Sequence, residues 1–179
     1  MRYLGRLAIV AFALTMMISG AEKVHAEVSA KDMKVITRAL GFLENKMSGD
    51  VKVGIVYNAS DAASKADADS LKSLLGDGLS GKGMVLKPVM VSSSDLSSLS
   101  STDIAFVASG MSGHYDKIKD ILASGKKFSV TTDRTCVEQG GCAMFVTTSP
   151  KVEIVVNKSV ADATGVSFQS VFRMMITEM

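Results

Sequence analysis

The 179-residue chain reads as a single α/β domain: a three-layer sandwich in which helices flank a mostly parallel sheet, closed by a C-terminal antiparallel hairpin and a final helix. Three observations predict this. Short β-branched runs alternate with segments of helical periodicity, which argues for strand–helix–strand units and a parallel sheet covered on both faces. The connections are short and rich in turn-forming glycine, serine and asparagine. Near the end, two strand-like runs at 143–147 and 151–157 are separated by Thr148-Ser149-Pro150, so a hairpin makes the sheet mixed.

The N-terminus carries Arg2 and Arg6, an apolar run over 7–18 and small residues up to Val24-His25-Ala26. This is the order of a secretory signal peptide, and the run is shorter than the roughly 20 residues that span a bilayer. Cleavage is expected after Ala26, with Ala21 as second choice, leaving 27–179 as the mature domain in the periplasm. Removing 1–26 takes Arg2, Arg6, Lys23 and Glu22 from totals of 20 bases and 18 acids, leaving 17 of each. A neutral chain without like-charge blocks has no basic footprint for nucleic acid. Cys136 and Cys142 are the only cysteines, and in an exported chain they point to one intramolecular disulfide.

In chain order, 29–47 places Met33, Ile36, Leu40, Leu43 and Met47 at spacings of three and four, an apolar helical stripe. Residues 51–57 form a β-branched strand fit for a central position. A turn at 58–60 leads to a helix over 61–75 that packs through Leu71, Leu74 and Leu75. A strand over 84–91 follows, then a serine-rich connector at 92–101 with room for one helical turn. Residues 103–108 make a third strand, 114–124 a helix and 128–130 a fourth strand. The last helix carries Phe168, Val171, Phe172 and Met175, and its end is the chain terminus.

In such a sheet a ligand lies beyond the carboxyl ends of the strands. Those ends offer Asn58, Ser60, Ser92, Ser109, Gly110, Thr132 and Asp133, of which Asn58, Ser60, Ser109, Thr132 and Asp133 are the candidate ligand rim. Other motifs carry less. Gly76 through Lys82 fits two phosphate-loop spacings, but a helix precedes it and a strand follows, the reverse of what a phosphate cradle needs. Ser112, His114 and Asp116 share one helical entry and cannot converge as a triad; Ser112 reads as a helix cap. Asp67 and Asp69 read as solvated surface, so no metal site, cofactor or catalytic group is expected.

The C-terminal third resembles the YfiR family of periplasmic regulatory proteins. The residues that carry the likeness are Gly140-Gly141 with Met144, then Lys151-Val152-Glu153-Ile154-Val155-Val156-Asn157, then Ser159 to Ala163 and Gly165-Val166-Ser167-Phe168. It covers about 126–179 and is fainter over 51–125; the tryptophan usual near the first helix of that family is missing. The resemblance implies a non-enzymatic regulator that binds the periplasmic part of a membrane signalling protein of diguanylate cyclase type and inhibits it. It also implies that the Cys136–Cys142 bridge tunes this inhibition, with a purely structural staple as the other reading. Arg38, Phe42, Phe172 and Met175 are the expected partner contacts, and a homodimer is compatible with the sequence. A small-molecule binding module, like one lobe of a two-lobed substrate-binding protein, is the alternative function.

Overall fold

The computed structural model describes residues 28–179. The expected signal peptide and its cleavage site lie outside the described residues. Eight strands form one sheet in the order β2-β3-β1-β4-β5-β6-β7-β8. They are β1 (Gly49–Tyr57), β2 (Leu79–Gly81), β3 (Met84–Ser92), β4 (Ile104–Val107), β5 (Phe128–Thr131), β6 (Met144–Thr147), β7 (Glu153–Val156) and β8 (Thr177–Glu178). β3, β1, β4, β5 and β6 run parallel. β2 is antiparallel to β3, and the β6–β7 hairpin turns the far side antiparallel, as the Thr148-Ser149-Pro150 spacing predicts. The fold class is that expected from sequence.

Period-two burial divides the strands between two cores. Val53 and Ile55 of β1, Ile104 and Phe106 of β4, Phe128 and Val130 of β5 and Met144 of β6 face one side. There they meet α1 (Ala30–Leu40) and α2 (Ala62–Leu75) through Ile36, Leu40, Ala68, Leu71 and Leu75. Val56, Ala105, Val107 and Phe145 face the other side, against α3 (Tyr115–Gly125), α4 (Arg134–Glu138) and a 3-10 segment, Ser93–Ser101. That segment lies close on β1 because Gly54 has no side chain: a Cβ there would sit 2.9 Å from Leu99 Cδ2. Both cysteines belong to this second core.

Several boundaries differ from expectation, each for a local reason. α1 stops at Leu40, and Leu43 forms a β-bridge with Phe168 instead of a further turn of helix. The stretch Gly76 through Lys82, which no strand is expected to occupy, includes the short edge strand β2, packed so tightly that a Cβ on Gly81 would lie 2.5 Å from Thr37 Cγ2. Ser112 lies in a 3-10 turn (Ser112–His114) and makes no side-chain cap. The hairpin is not the sheet edge, because β8 pairs alongside β7. The last helix is only α6 (Ser170–Arg173), followed by β8; a further helix not expected from sequence, α5 (Lys158–Ala163), precedes it. Lys158 N–H donates to the Met179 carbonyl at 3.0 Å and Met179 N–H to that of Val156 at 3.0 Å, so strand pairing replaces further helical bonds at the terminus.

Candidate functional site

After β1 the chain turns through α2 to β3 on one side; after β4 it turns through α3 to β5 on the other. Between the carboxyl ends of β1 and β4, therefore, the chain directions diverge, and such a switch point is where open α/β sheets place their ligand crevice. The β1 side is shaped by a chain of local bonds. Asn58 N–H donates to Ser64 Oγ at 3.0 Å, and Asn58 Oδ1 accepts from Ser60 N–H at 3.0 Å. Asp61 caps α2: its Oδ1 accepts from the backbone amides of Ala63 and Ser64 at 2.9 and 3.2 Å. Its second oxygen, Oδ2, accepts no hydrogen bond among the described residues.

That oxygen faces Gly110 on the β4 side. Gly110 has φ +76°, and a Cβ built on it would lie 2.8 Å from Asp61 Oδ2, so only glycine fits both the backbone conformation and the space. Its neighbour Ser109 is buried and donates its N–H to Asp67 Oδ2 at 2.9 Å. Asp67 Oδ1 also accepts from Val28 N–H at 3.5 Å. Asp67 is 4% exposed, so the expectation that it is solvated surface is corrected: the carboxylate ties the entry of the chain to the crevice loop. Asp69, two residues on, does face solvent, pairing with Lys65 at 2.6 Å.

One strand further along, the loop after β5 is more tightly engaged. Thr131 Oγ1 donates to the Val107 carbonyl at 2.7 Å and accepts from Asp133 N–H at 2.9 Å. Asp133 Oδ1 caps α4 by accepting from Thr135 N–H at 3.0 Å, and its Oδ2 accepts the Tyr115 phenol at 3.0 Å. Burial, then the Asp133 charge and hydrogen bond, push the Tyr115 phenol well above its ordinary pKa, so it stays a donor. The ring of Tyr115 lies over Gly141, where a Cβ would be 2.6 Å from Cγ. Beneath it, the Cys136–Cys142 disulfide has both sulfurs in residues with 0% exposure.

The structure thus brings Asn58, Ser60 and Ser109 to the switch point, adds Asp61, and sets Thr132 and Asp133 beside it on a loop whose carboxylate is already used. Asp61 carries a capping signal in the sequence; its free second oxygen depends on Gly110, remote in the chain. The expected partner contacts separate. Phe42 is half-buried and stacks on Phe172 with ring centroids 5.0 Å apart, while Phe172 is 3% exposed and also packs on Phe168. Phe172 is therefore core, not surface, because the aromatic cluster closes over it. Met175 is 60% exposed, beside Val171 and Met174, and Arg38 is exposed on α1.

No protein-family model matches the chain, and no curated protein does. Solved structures share its fold. The ligand-free, open structure of a substrate binding protein with adhesive properties from Clostridium difficile matches at TM-score 0.60 and 17% identity, over 83% of this chain and 58% of that one. A conserved domain protein from Vibrio cholerae matches at 0.59 and 14%, over 85% and 60%. An ABC domain in complex with L-Trp from Streptococcus pneumonia matches at 0.55 and 13%, over 83% and 59%. The chain spans less than two thirds of each of these structures, and at such identities the likeness is one of fold. No helix of the described residues is long and apolar enough to cross a membrane. The disulfide fits an oxidising compartment outside the cytoplasm.

Proposed function

We propose that this domain binds a small molecule, without turning it over, in the crevice between the carboxyl ends of β1 and β4. The observation that carries this reading is the approach of the free Asp61 Oδ2 to Gly110 across the switch point: a carboxylate oxygen with no protein partner, facing a backbone held open by glycine. A site of this kind suits a polar ligand with a donor group, such as an ammonium or hydroxyl, aimed at Asp61. The fold likeness to a substrate binding protein, and to a domain in complex with L-Trp, makes free amino acids the first ligands to try. The location is the periplasm after signal-peptide removal.

Thermal unfolding of the protein spanning 27–179 against amino acids and small metabolites tests this. A true ligand at 100 times its dissociation constant adds about 2.7 kcal/mol of stability. The reading fails if no compound shifts the transition, or if Asp61→Asn leaves the shift unchanged.

The regulator implied by the resemblance is a second reading, favoured by one observation: Val171, Met174, Met175 and Met179 are all at least half exposed near the C-terminus. Clustered exposed methionines suit an adaptable protein contact. In that reading the domain holds the periplasmic part of a membrane signalling protein inactive. Capture of one such protein from membranes, lost on Met174→Asp with Met175→Asp, distinguishes it from ligand binding alone.

A further inference from the structure

We propose that the groove between α1 and β2 docks an extended, acidic segment of a protein partner. The groove encloses about 280 Å³ and is lined by Lys34, Thr37, Arg38, Leu79, Ser80 and Lys82, with no acidic side chain among its lining residues. The outward face of α1 carries Lys31, Lys34 and Arg38, all exposed, whereas its single acid, Asp32, is buried and bonded to Ser29 N–H at 2.8 Å. Lys82 approaches from the β2–β3 turn with its stem laid across the end of α1: a Cβ on Gly41 would lie 2.9 Å from Lys82 Cγ.

The ion pairs formed among the described residues use Lys65, Lys87, Arg134, Lys158 and Arg173, and none of the groove cations. In a mature chain of zero net charge, three cations gathered around one groove without a carboxylate are unbalanced locally, and an anion removes their mutual repulsion.

Geometry selects the form of the anion. Lys34 and Arg38 are four residues apart on a helix, so their side chains leave the axis about 6 Å apart. In an extended strand, side chains two residues apart are about 6.6 Å apart and point to the same face. An acid-x-acid strand therefore matches the two cations, with Lys82 available to a third acid. A lone phosphate meets one such position at a time. β2 is also an edge strand, bonded within the sheet only to β3, and an edge strand is the place where an extended peptide can add to a sheet. Half-buried Leu79 gives the intervening side chains an apolar seat. This groove shares no residue with the Asp61–Gly110 crevice, so the two sites are tested separately.

Amide-resolved NMR titration of the protein spanning 27–179 with a blocked Glu-Val-Glu-Val-Glu peptide tests the proposal, with a Gln-Val-Gln-Val-Gln peptide and inorganic phosphate as parallel arms. The expected result is saturable shifts confined to the stretches 34–41 and 79–83, seen with the glutamate peptide alone. Raising salt from about 0.05 to 0.5 M should weaken binding, since the screening length falls from roughly 14 to 4 Å. Lys34→Glu with Arg38→Glu should weaken it by at least about tenfold. Unchanged thermal unfolding in that variant establishes that it is folded, and Lys82→Glu alone serves as a second, milder probe. Equal saturation of these amides by phosphate, equal binding of the glutamine peptide, or indifference to charge reversal would each overturn the proposal.

Discussion

Asp61 and Asp133 occupy equivalent places in the fold. Each follows a parallel strand, each caps the next helix through Oδ1, and each holds Oδ2 towards the stretch that follows β4. They differ in what that stretch presents. Asp133 Oδ2 meets the Tyr115 phenol, anchored over Gly141 and the buried disulfide, whereas Asp61 Oδ2 meets the bare α-carbon of Gly110. One carboxylate is thereby a strut, and the other keeps an oxygen without a protein partner among the described residues. The same residue in the same cap position takes different roles because of one neighbouring side chain, which is why the crevice is placed between β1 and β4 and not at β5.

The largest expected effect tests the scaffold beneath the free side. Asp67→Ala leaves the buried amides of Val28 and Ser109 without a protein acceptor and should cost about 3 kcal/mol in urea unfolding. Asp69→Ala, on the exposed side of the same helix, should change stability by less than about 0.5 kcal/mol. Equal effects would mean that the crevice loop does not depend on Asp67. Next is the staple beneath the engaged side. Cys136→Ser with Cys142→Ser should cost about 2 kcal/mol, the chain-entropy value for so short a loop. With both sulfurs fully buried, reduction by dithiothreitol should follow protein opening and not thiol concentration. Rapid reduction of the native protein would instead favour the redox-tuned regulator.

Tyr115→Phe removes only the phenol bond to Asp133 and should cost about 1 kcal/mol. Its pH dependence is more informative. The folded phenol has a raised pKa, so its contribution is complete below the unfolded value near 10 and is lost as pH rises above it. Wild-type stability should therefore fall more steeply above pH 10 than that of Tyr115→Phe, as followed by urea midpoints; parallel curves would show that the strut is not closed. The smallest stability effect is expected for Asp61→Asn, a few tenths of a kcal/mol, since asparagine also caps helices. That variant should lose ligand binding while remaining folded.

The central strands and the α2–α3 frame are legible in the sequence because runs such as Val51-Lys52-Val53-Gly54-Ile55-Val56-Tyr57 carry β-branched residues within turn-bounded segments. The C-terminus is not. Phe168, Val171, Phe172 and Met175 have helical spacing, yet pairing of β8 with β7 and stacking of Phe172 on Phe42 override it after one turn. Asp67 was illegible for a different reason: its donors are backbone amides 39 and 42 residues away, and backbone donors carry no sequence signature. The rim residues Asn58, Ser60 and Ser109 follow from strand ends alone. Which oxygen is free follows only from three-dimensional packing.

The most direct test of the central claim is an amide-resolved NMR map of the ligand that gives the largest thermal shift. Perturbations are expected to centre on the stretches 58–61 and 109–111, with 132–133 little changed and the map abolished in Asp61→Asn. Perturbations centred on Thr132 and Asp133, or away from the strand ends altogether, would contradict it.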